Sequence, residues 1–287
     1  VDMIQVMMKD KCCGVFYEND SAQLYFNQGF KESINRELVQ LFPERSLKWE
    51  WGIQNNEDWH LVWQDKFKEI LIDNKLAIIP PWQQRCSADL VVKIKPGMAF
   101  GTGHHETTRL CLNALSKYVN EGQSVLDVGT GSGILSIAAA YLGASLVDGW
   151  DIDPGAVKIA HSNCVVNNVA EKITVHEGEF KFTDQQYDLI VSNPPYIPTR
   201  DIKKLSKEIT NYEPLSALNG GIDGLDLIKK VIYKSKCLLK NNGLLGIEIG
   251  TNQYMKVSHF LRIGGFREVN KVYDCNYNVH CIITTKT

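Results

Sequence analysis

Two short stretches of this chain carry residue types that could do chemistry. The first, SVLDVGTGSG, runs from Ser124 to Gly133 and has glycines at alternate positions. Such a turn lets backbone N–H groups and the start of a following helix approach a bound ligand. Asp151 follows Gly129 by 22 residues, and a carboxylate there can accept hydrogen bonds from both ribose hydroxyls of a nucleoside. The stretch predicts a nucleoside site, and the alternative is an ordinary tight turn between a strand and a helix.

The second stretch is the tetrapeptide NPPY, from Asn193 to Tyr196. The Asn193 side-chain oxygen and the Pro194 carbonyl can each accept one hydrogen of the same NH2 group. The two prolines stiffen the turn that carries these acceptors, and the ring of Tyr196 can stack on a flat group. The pattern predicts a clamp for a planar amino group. The alternative is a rigid proline turn after an edge strand.

Alternating strand and helix patterns place both stretches at one edge of a sheet. The predicted strands are Ser124–Val128, Ser145–Asp151, Ile173–Glu177 and Tyr187–Ser192. The helices that separate the first three are Ile134–Leu142 and Pro154–Asn167. Such alternation predicts a parallel sheet with its ligand at the carboxyl ends of the strands. Beyond the NPPY stretch the pattern continues with a helix at Leu225–Leu239, a strand at Gly243–Ile249, a helix at Asn252–Ile263 and an antiparallel hairpin over 266–285.

The amino-terminal part reads as a separate and smaller piece. Residues 1–57 predict an α/β module for docking a partner, with a strand at Gly14–Glu18, a helix at Gln28–Phe42 and a strand at Leu47–Gln54. Residues 58–95 predict a linker with helical and strand segments, which includes most of a Trp-rich helix at Glu57–Ile72. Residues 96–287 predict the main domain.

Composition limits the kind of protein. Of the 287 residues 44% are hydrophobic, which is typical of a globular protein with a substantial core. The formal net charge of −2 gives no electrostatic reason to expect direct binding to nucleic acid or to an anionic membrane. The eight cysteines include no C-x-x-C pair, and no pair of carboxylates flanks His104 and His105, whose side chains point apart. We therefore predict a reduced cytoplasmic protein with no metal site and no membrane span.

A second glycine-rich loop, PGMAFGTGHHETT, precedes a predicted helix at Glu106–Tyr118. Together with the Trp-rich segment and LAIIPPW, it resembles the ribosomal-protein lysine methyltransferases that act on a large-subunit protein, over Gly14 to Ala170. In that family the amino-terminal module is longer, so the module here is expected to be incomplete. The family's loop packs on S-adenosylmethionine, and the resemblance therefore implies cofactor contacts at Phe100, Gly101, Thr102, Gly103 and Thr107.

The sequence LDVGTGSG followed by DIDP resembles class I S-adenosylmethionine-dependent methyltransferases in general. The resemblance implies an α/β, Rossmann-like sheet of seven strands, mostly parallel, with an antiparallel carboxyl-terminal hairpin. It implies that Asp127 and the glycine turn hold the methionine part, Asp151 the ribose and Glu179 the adenine amino group. The full set implied to contact S-adenosylmethionine, or the product S-adenosylhomocysteine, in this part of the chain is Asp127, Gly129, Thr130, Gly131, Gly133, Asp151, Ile152, Glu179, Phe180 and Asn193.

From Tyr187 onward the resemblance changes. NPPYIP and NYEPLSALNGGIDGLDLI, at Asn211–Ile228, resemble the glutamine methyltransferases of translation release factors, whereas the lysine methyltransferases do not use NPPY. An amide nitrogen is a weak nucleophile because its lone pair is delocalised, and a clamp on both hydrogens aims that lone pair at the sulfonium methyl.

We therefore predict a protein methyltransferase of the translation apparatus that modifies a glutamine amide of a release factor, with Asn193, Pro194 and Tyr196 at the acceptor. The alternative is methylation of a lysine or amino-terminal amine of a large-subunit ribosomal protein. Methylation of a nucleic-acid base amine and a non-catalytic nucleoside-binding module are the remaining alternatives.

Overall fold

The structure is a computed structural model that describes residues 12–18, 21–26, 28–41, 50–52, 69–84, 86–95, 106–205, 214–274 and 277–287. The chain divides into two compact units, residues 1–64 and residues 65–287. Each unit is described separately below.

The first unit contains a hairpin followed by a helix. Strand β1 (Cys12–Glu18) pairs antiparallel with β2 (Ser21–Phe26), and a 3-10 turn at Gln28–Phe30 leads into helix α1 (Lys31–Leu41). Ile34 and Leu38 lie one helical turn apart, and both are buried. The predicted first strand and helix are present, whereas β2 was not predicted. The strand predicted at Leu47–Gln54 lies mostly outside the described residues.

The second unit begins with a small three-stranded sheet. Strand β3 (Ile70–Ile72) pairs antiparallel with β4 (Leu76–Ile79), and β4 pairs parallel with β5 (Leu90–Lys93). The prediction of a helix to Ile72 is wrong at its carboxyl end, because Ile70 and Ile72 alternate with exposed Leu71 and pair with the next strand. The rest of that predicted helix, 57–68, lies outside the described residues.

Helices and strands then alternate along the main domain. In chain order they are α2 (Glu106–Tyr118), β6 (Ser124–Val128), α3 (Ile134–Tyr141), β7 (Leu146–Asp151), α4 (Pro154–Val166), β8 (Ile173–Glu177), β9 (Tyr187–Ser192), α5 (Thr199–Ile202), α6 (Leu215–Leu218), α7 (Asp226–Leu238), β10 (Leu239–Glu248), α8 (Tyr254–Ile263), β11 (Phe266–Tyr273) and β12 (Val279–Lys286). The strands predicted at Ser124–Val128, Ile173–Glu177 and Tyr187–Ser192 are found at those bounds.

These elements build one seven-stranded sheet with the strand order β11-β12-β10-β9-β6-β7-β8. Strands β10, β9, β6, β7 and β8 run parallel, and β12 pairs antiparallel with both β10 and β11. The predicted class I methyltransferase sheet with an antiparallel hairpin is therefore confirmed. Strands β6 and β9 are neighbours, so Val128 and Ser192 end side by side and the glycine turn and NPPY leave the same edge.

Apolar side chains cover both faces of the sheet. On one face Leu112, Leu115 and Ile137 from α2 and α3 belong to a buried cluster. On the other face Val231 and Val257 from α7 and α8 belong to a second buried cluster. This three-layer arrangement holds the strand ends rigid, so that the loops beyond them carry the chemistry. Within the described ranges, no helix is long and apolar enough to cross a membrane.

Candidate active site

A cleft of about 490 Å³ opens at the carboxyl ends of β6, β7, β8 and β9. One side of it follows the strand ends and is lined by Val128, Gly129, Gly131, Trp150, Asp151, Ile152, Asp153, Ala156, Gly178, Glu179 and Phe180. The opposite side is lined by Asn193, Pro195, Pro214, Leu215, Ser216, Ala217, Asn219, Gly220, Gly221, Asp226, Leu227 and Lys230. We call these the nucleoside side and the acceptor side of the cleft.

The glycine turn forms the floor between the two sides. Gly129 and Gly131 have φ angles of +77° and +56°, a region that favours residues without a Cβ. The N–H groups of Gly129 and Thr130 both donate to the Trp150 carbonyl, at 2.8 and 3.0 Å, and these bonds tie the turn to β7. A Cβ on Gly129 would lie 3.8 Å from the carbonyl oxygen of Asn193. The two stretches singled out in the sequence therefore meet in the cleft.

Asp151 lies at the end of β7 on the nucleoside side. Its Oδ2 accepts a hydrogen bond from the Gly131 N–H at 2.8 Å, and its Oδ1 accepts one from the Asp153 N–H at 3.0 Å. Burial raises the pKa of this carboxyl above its ordinary value, while those two donors oppose the rise. Each carboxylate oxygen keeps acceptor capacity for a ligand hydroxyl. The neighbouring Ile152 is 59% exposed and presents an apolar surface beside it.

Asp127 lies beneath the turn, not in the cleft. Its side chain is fully buried, and its Oδ2 accepts hydrogen bonds from Thr130 Oγ1 at 2.7 Å and from the Ser136 Oγ and N–H at 2.7 and 3.1 Å. Burial raises the pKa of the Asp127 carboxyl to about 6, although these hydrogen bonds oppose that shift. Asp127 thus fastens the glycine turn to the first turn of α3.

Thr130 and Gly133 also support the turn from outside the cleft. Thr130 is buried, with its hydroxyl on Asp127. A Cβ on Gly133 would come within 3.2 Å of Ala160 in α4, so this glycine permits close helix packing. The predicted cofactor residues of the main domain therefore split into those that line the cleft and those that hold the lining in place.

Glu179 and Phe180 follow β8 at the outer rim of the cleft. Glu179 pairs with Lys230 of α7 at 3.0 Å, and this ammonium group lowers the pKa of the carboxyl below its ordinary value. Phe180 is buried beneath the rim. The Glu179–Lys230 pair links the nucleoside side to the acceptor side.

The NPPY turn supplies the start of the acceptor side. Asn193 and Pro195 are half-buried and line the cleft, whereas Pro194 is buried. Among the described residues, the cleft lining leaves out Tyr196. Its ring lies against Gly250, where an added Cβ would be 2.9 Å from Tyr196 Cδ2, and its carbonyl accepts a hydrogen bond from Gln253 at 2.9 Å. The structure therefore brings Asn193 to the cleft and uses Tyr196 as packing behind it.

A second segment completes the acceptor side. Ile197 pairs with Asn219 in an isolated parallel bridge, with hydrogen bonds from the Ile197 N–H to the Leu218 carbonyl at 3.1 Å and from the Gly220 N–H to the Ile197 carbonyl at 2.9 Å. Gly221, at φ +88°, packs so closely on Asp226 that a Cβ would fall 1.8 Å from its Oδ2. The segment from Pro214 to Gly221 is thereby held against NPPY, from which residues 197–213 separate it in the sequence.

Several cleft residues were not singled out in the sequence. Trp150 precedes Asp151, and its ring stacks on His176 with centroids 4.4 Å apart. Asp226 and Lys230 lie one turn apart on α7, directly after the GGIDG segment. In the sequence, Asp226 and Lys230 could have been found as a polar pair with helical spacing that follows a glycine-rich turn. The front-loop residues Phe100, Gly101, Thr102 and Gly103 lie outside the described residues, as does the side chain of Thr107.

Comparisons with known proteins identify relatives of this chain. The family model described as ribosomal protein L11 methyltransferase (PrmA) matches residues 6–214, and the model for the Eco57I restriction-modification methylase matches residues 147–283. A ribosomal protein L11 methyltransferase of Bacillus licheniformis is 37% identical over 206 residues, which are 63% of this chain and 66% of that protein. One from Geobacillus thermodenitrificans is 45% identical over 143 residues, 48% of this chain and 46% of that protein.

The solved structure of a ribosomal protein L11 methylase from Lactobacillus delbrueckii subsp. bulgaricus is also similar. It has a TM-score of 0.59 and 25% sequence identity, and the match covers 76% of this chain and 99% of that one. The chain spans between about half and two thirds of the length of the curated relatives it matches. The resemblance to release-factor glutamine methyltransferases finds no support in these matches. With nearly three quarters of its length matched by one family model, the chain belongs to the ribosomal protein L11 methyltransferase (PrmA) family.

Proposed function

We propose that this protein transfers a methyl group from S-adenosylmethionine to an amino group of a ribosomal protein. The observation that carries the proposal is the single cleft in which the Gly129 turn and Asn193 come together, with 3.8 Å between a Cβ position on Gly129 and the Asn193 carbonyl. A nucleoside site and an amine-binding group so close together suit direct transfer between two bound molecules. Membership of the ribosomal protein L11 methyltransferase family supplies the substrate class.

The nucleoside side of the cleft fits S-adenosylmethionine. Gly129 and Gly131 have no Cβ, so their backbone leaves space in the cleft for the methionine part of S-adenosylmethionine. Asp151 ends the strand that follows the glycine turn, and its two carboxylate oxygens can accept hydrogen bonds from the ribose hydroxyls. The exposed side chain of Ile152 can contact the base. When bound, S-adenosylmethionine supplies an electrophilic sulfonium methyl.

The acceptor side can bind and orient an amine. The side-chain oxygen of Asn193 can accept a hydrogen bond from the N–H of a neutral amine and so direct its lone pair into the cleft. A lysine side chain has an ordinary pKa near ~10.4, so the amine must lose a proton before it can attack. Asp226 lines the same side and provides a carboxylate to attract the cationic form of the substrate.

A planar amide is the second candidate acceptor. Asn193 and Pro195 line the cleft together with the Pro214–Gly221 segment, and the Asn193 side-chain oxygen is one of the two acceptors that the NPPY clamp requires for a flat group. The matched relatives are ribosomal-protein methyltransferases. We therefore rank an amine of a ribosomal protein as the first candidate substrate and the glutamine amide of a release factor as the second.

Mass spectrometry separates the two candidates. The full chain is incubated with isotopically labelled S-adenosylmethionine and with two substrates, a large-subunit ribosomal protein of the L11 type and a glutamine-bearing release-factor fragment. We expect label on a lysine or amino-terminal amine of the ribosomal protein. Label on the glutamine of the release-factor fragment would promote the second candidate, and transfer to neither protein would overturn the proposal.

A pH–rate profile tests the nature of the acceptor independently. With an amine acceptor the rate should rise with pH toward the amine's pKa near ~10, because only the neutral amine attacks. With an amide acceptor the rate should be flat over that range, since the amide is neutral throughout it. The matched control is cofactor affinity over the same pH range, which should not follow the rate.

A further inference from the structure

One buried side chain outside the cleft lining binds three loops around the acceptor side. Gln253 directly precedes α8 and is 9% exposed. Its Nε2 donates hydrogen bonds to the carbonyl oxygen of Tyr196 at 2.9 Å and to that of Gly224 at 3.3 Å. Its Oε1 accepts a hydrogen bond from the Gly250 N–H at 2.8 Å. A single amide therefore joins NPPY, the loop before α7 and the turn that follows β10.

The three partners fix the orientation of this amide and the residue type that can supply it. Carbonyl oxygens only accept and a backbone N–H only donates, so Nε2 must face the two carbonyls and Oε1 the N–H. A glutamate at this position would place a carboxylate against two carbonyl oxygens. A methionine of similar length would leave all three backbone groups without this partner, which is costly for buried groups.

The loops that Gln253 joins pack directly on the lining of the acceptor side. Pro195 and Gly220 line the cleft. A Cβ on Gly220 would lie 2.6 Å from the Pro195 carbonyl oxygen and 2.8 Å from the Gly224 carbonyl oxygen. The Gly224 carbonyl is one of the two that Gln253 binds, so this amide lies one backbone layer behind the cleft. None of its three hydrogen bonds involves a residue of the nucleoside side.

We propose that Gln253 is a positioning residue for methyl transfer. Its amide holds NPPY against the loop before α7, and it thereby holds Asn193 in place for the amino group of the substrate. The two prolines of NPPY stiffen the chain between Asn193 and Tyr196, so a shift of the Tyr196 carbonyl is passed on to Asn193. The inference rests on the proposed function for the identity of the substrate, whereas the contacts that carry it belong to the fold.

A second bridging amide provides a matched control. Asn167 is buried, and its Nδ2 donates to the carbonyls of Lys93 and Asn163, both at 2.7 Å. Its Oδ1 accepts from the Lys93 N–H at 2.7 Å, so it makes the same set of three bonds as Gln253. Asn167 follows the last residue of α4, whereas Ala156 near the start of that helix lines the cleft. About 16 Å of helix separates the two.

Amide hydrogen exchange of the full chain without substrate tests the positioning directly. In Gln253→Met the N–H groups of Ile197 and Gly220, which bind the opposite loop, should exchange at least about 10-fold faster than in wild type. The Thr130 N–H, on the nucleoside side, should change less than about twofold. Asn167→Leu should leave all three groups within about twofold of wild type when each variant is measured at the same interval below its Tm. Equal acceleration on both sides of the cleft, or none on the acceptor side, would overturn the proposal.

Steady-state kinetics separates positioning from folding. With the acceptor protein that wild type methylates, Gln253→Met should lower kcat/KM for that protein at least about 10-fold. The dissociation constant of S-adenosylhomocysteine, from calorimetry, should stay within about twofold of wild type, and Asn167→Leu should change neither quantity. An equal loss of cofactor affinity would overturn the proposal. Transfer by wild type to neither protein would overturn the proposed function, and the exchange measurement decides the role of Gln253 in either case.

Gln253→Glu is a second variant, and its defect should be reversible. The ionised carboxylate faces two carbonyl oxygens, but the protonated acid can donate to the Tyr196 carbonyl and accept from the Gly250 N–H. The ratio of its kcat/KM to that of wild type should rise at least about 5-fold as the pH falls from ~9 to ~6, because burial favours the neutral acid. Gln253→Met has no titrating group, so its ratio should not depend on pH. A ratio for Gln253→Glu that is equally independent of pH would show that the amide only fills space, and the proposal would be wrong.

Discussion

The two sides of the cleft are built in different ways. The nucleoside side follows consecutive strand–turn–helix units, and the hydrogen bond from the Gly131 N–H to Asp151 joins the turn of one unit to the strand end of the next. The acceptor side joins NPPY to a segment that begins at Pro214, and the Ile197–Asn219 bridge holds the two together. The first side follows a periodic strand–turn–helix pattern that can be recognised in the sequence, whereas the second is formed by two loops whose pairing is not marked by any periodic pattern.

This difference implies that the two sides can be perturbed separately. The nucleoside side rests on buried hydrogen bonds under the glycine turn, which Asp127 accepts. The acceptor side rests on backbone hydrogen bonds between two loops. Substitutions on one side should therefore leave the function of the other side intact, and the following measurements test that separation.

The largest effect is expected on the acceptor side with a planar amide, the second candidate substrate. Asn193→Ala should lower turnover by on the order of 100-fold for a planar amide acceptor, because a preorganised polar partner of the reacting nitrogen is lost. Cofactor affinity, measured by calorimetry, should barely change, since Asn193 faces the other substrate. A lysine acceptor needs no planar grip, so with an amine substrate the same variant should lose much less. An equal loss of cofactor affinity would show that the two sides are not separable.

The matching change on the nucleoside side is Asp151→Ala. It removes the acceptor for the ribose hydroxyls and should weaken S-adenosylhomocysteine binding by roughly 1.5–3 kcal/mol, as for a charged hydrogen bond. The Michaelis constant for the protein substrate is the control, and it should stay within about twofold of wild type. Calorimetry that finds unchanged cofactor affinity would contradict the assignment of Asp151 to the ribose.

A third measurement concerns the support beneath the glycine turn. The Asp127 carboxyl has a pKa of about 6 in the folded protein against an ordinary value of 3.8, so the folded state binds more protons between these values. Its contribution to stability therefore falls as the pH rises through this window. Relative to Asp127→Asn, which keeps an acceptor oxygen but does not titrate, wild type should lose about 2 kcal/mol of unfolding free energy between pH ~4.5 and ~7.5.

Denaturant titrations of wild type and Asp127→Asn at each of these pH values measure the difference in unfolding free energy. Ser136→Ala is a useful companion variant, because it removes one donor to Asp127 without removing the carboxyl. It should raise the pKa of Asp127 further and move the pH window upward. A difference between wild type and Asp127→Asn that does not depend on pH would contradict the shifted titration.

The smallest effect is expected where the two sides touch. The Glu179–Lys230 pair is exposed, with side chains 65% and 53% accessible, so solvent screens it. Glu179→Gln should therefore change cofactor affinity only slightly, and Lys230→Met should do the same. An effect as large as that of Asp151→Ala would mean that this pair is part of the nucleoside site and that the two sides are coupled through it.

The sequence by itself determined the nucleoside side and most of the sheet. The apolar run at 124–128, the glycines that follow and the acid at 151 are local features, because a strand, a tight turn and the next strand end are fixed by neighbouring residues. The alternation of strands and helices predicted a parallel sheet, and the resemblance to class I methyltransferases implied its seven strands. The order of the strands came from the structure.

Only the tertiary structure decided which polar residues reach the cleft. Asp127 and Asp151 look alike in sequence, yet Asp127 pairs in register with Gly149 and is buried under the turn, whereas Asp151 lies two residues beyond Gly149 and lines the cleft. Tyr196 was predicted at the acceptor and instead packs against Gly250, while Asp226 and Lys230 enter from α7.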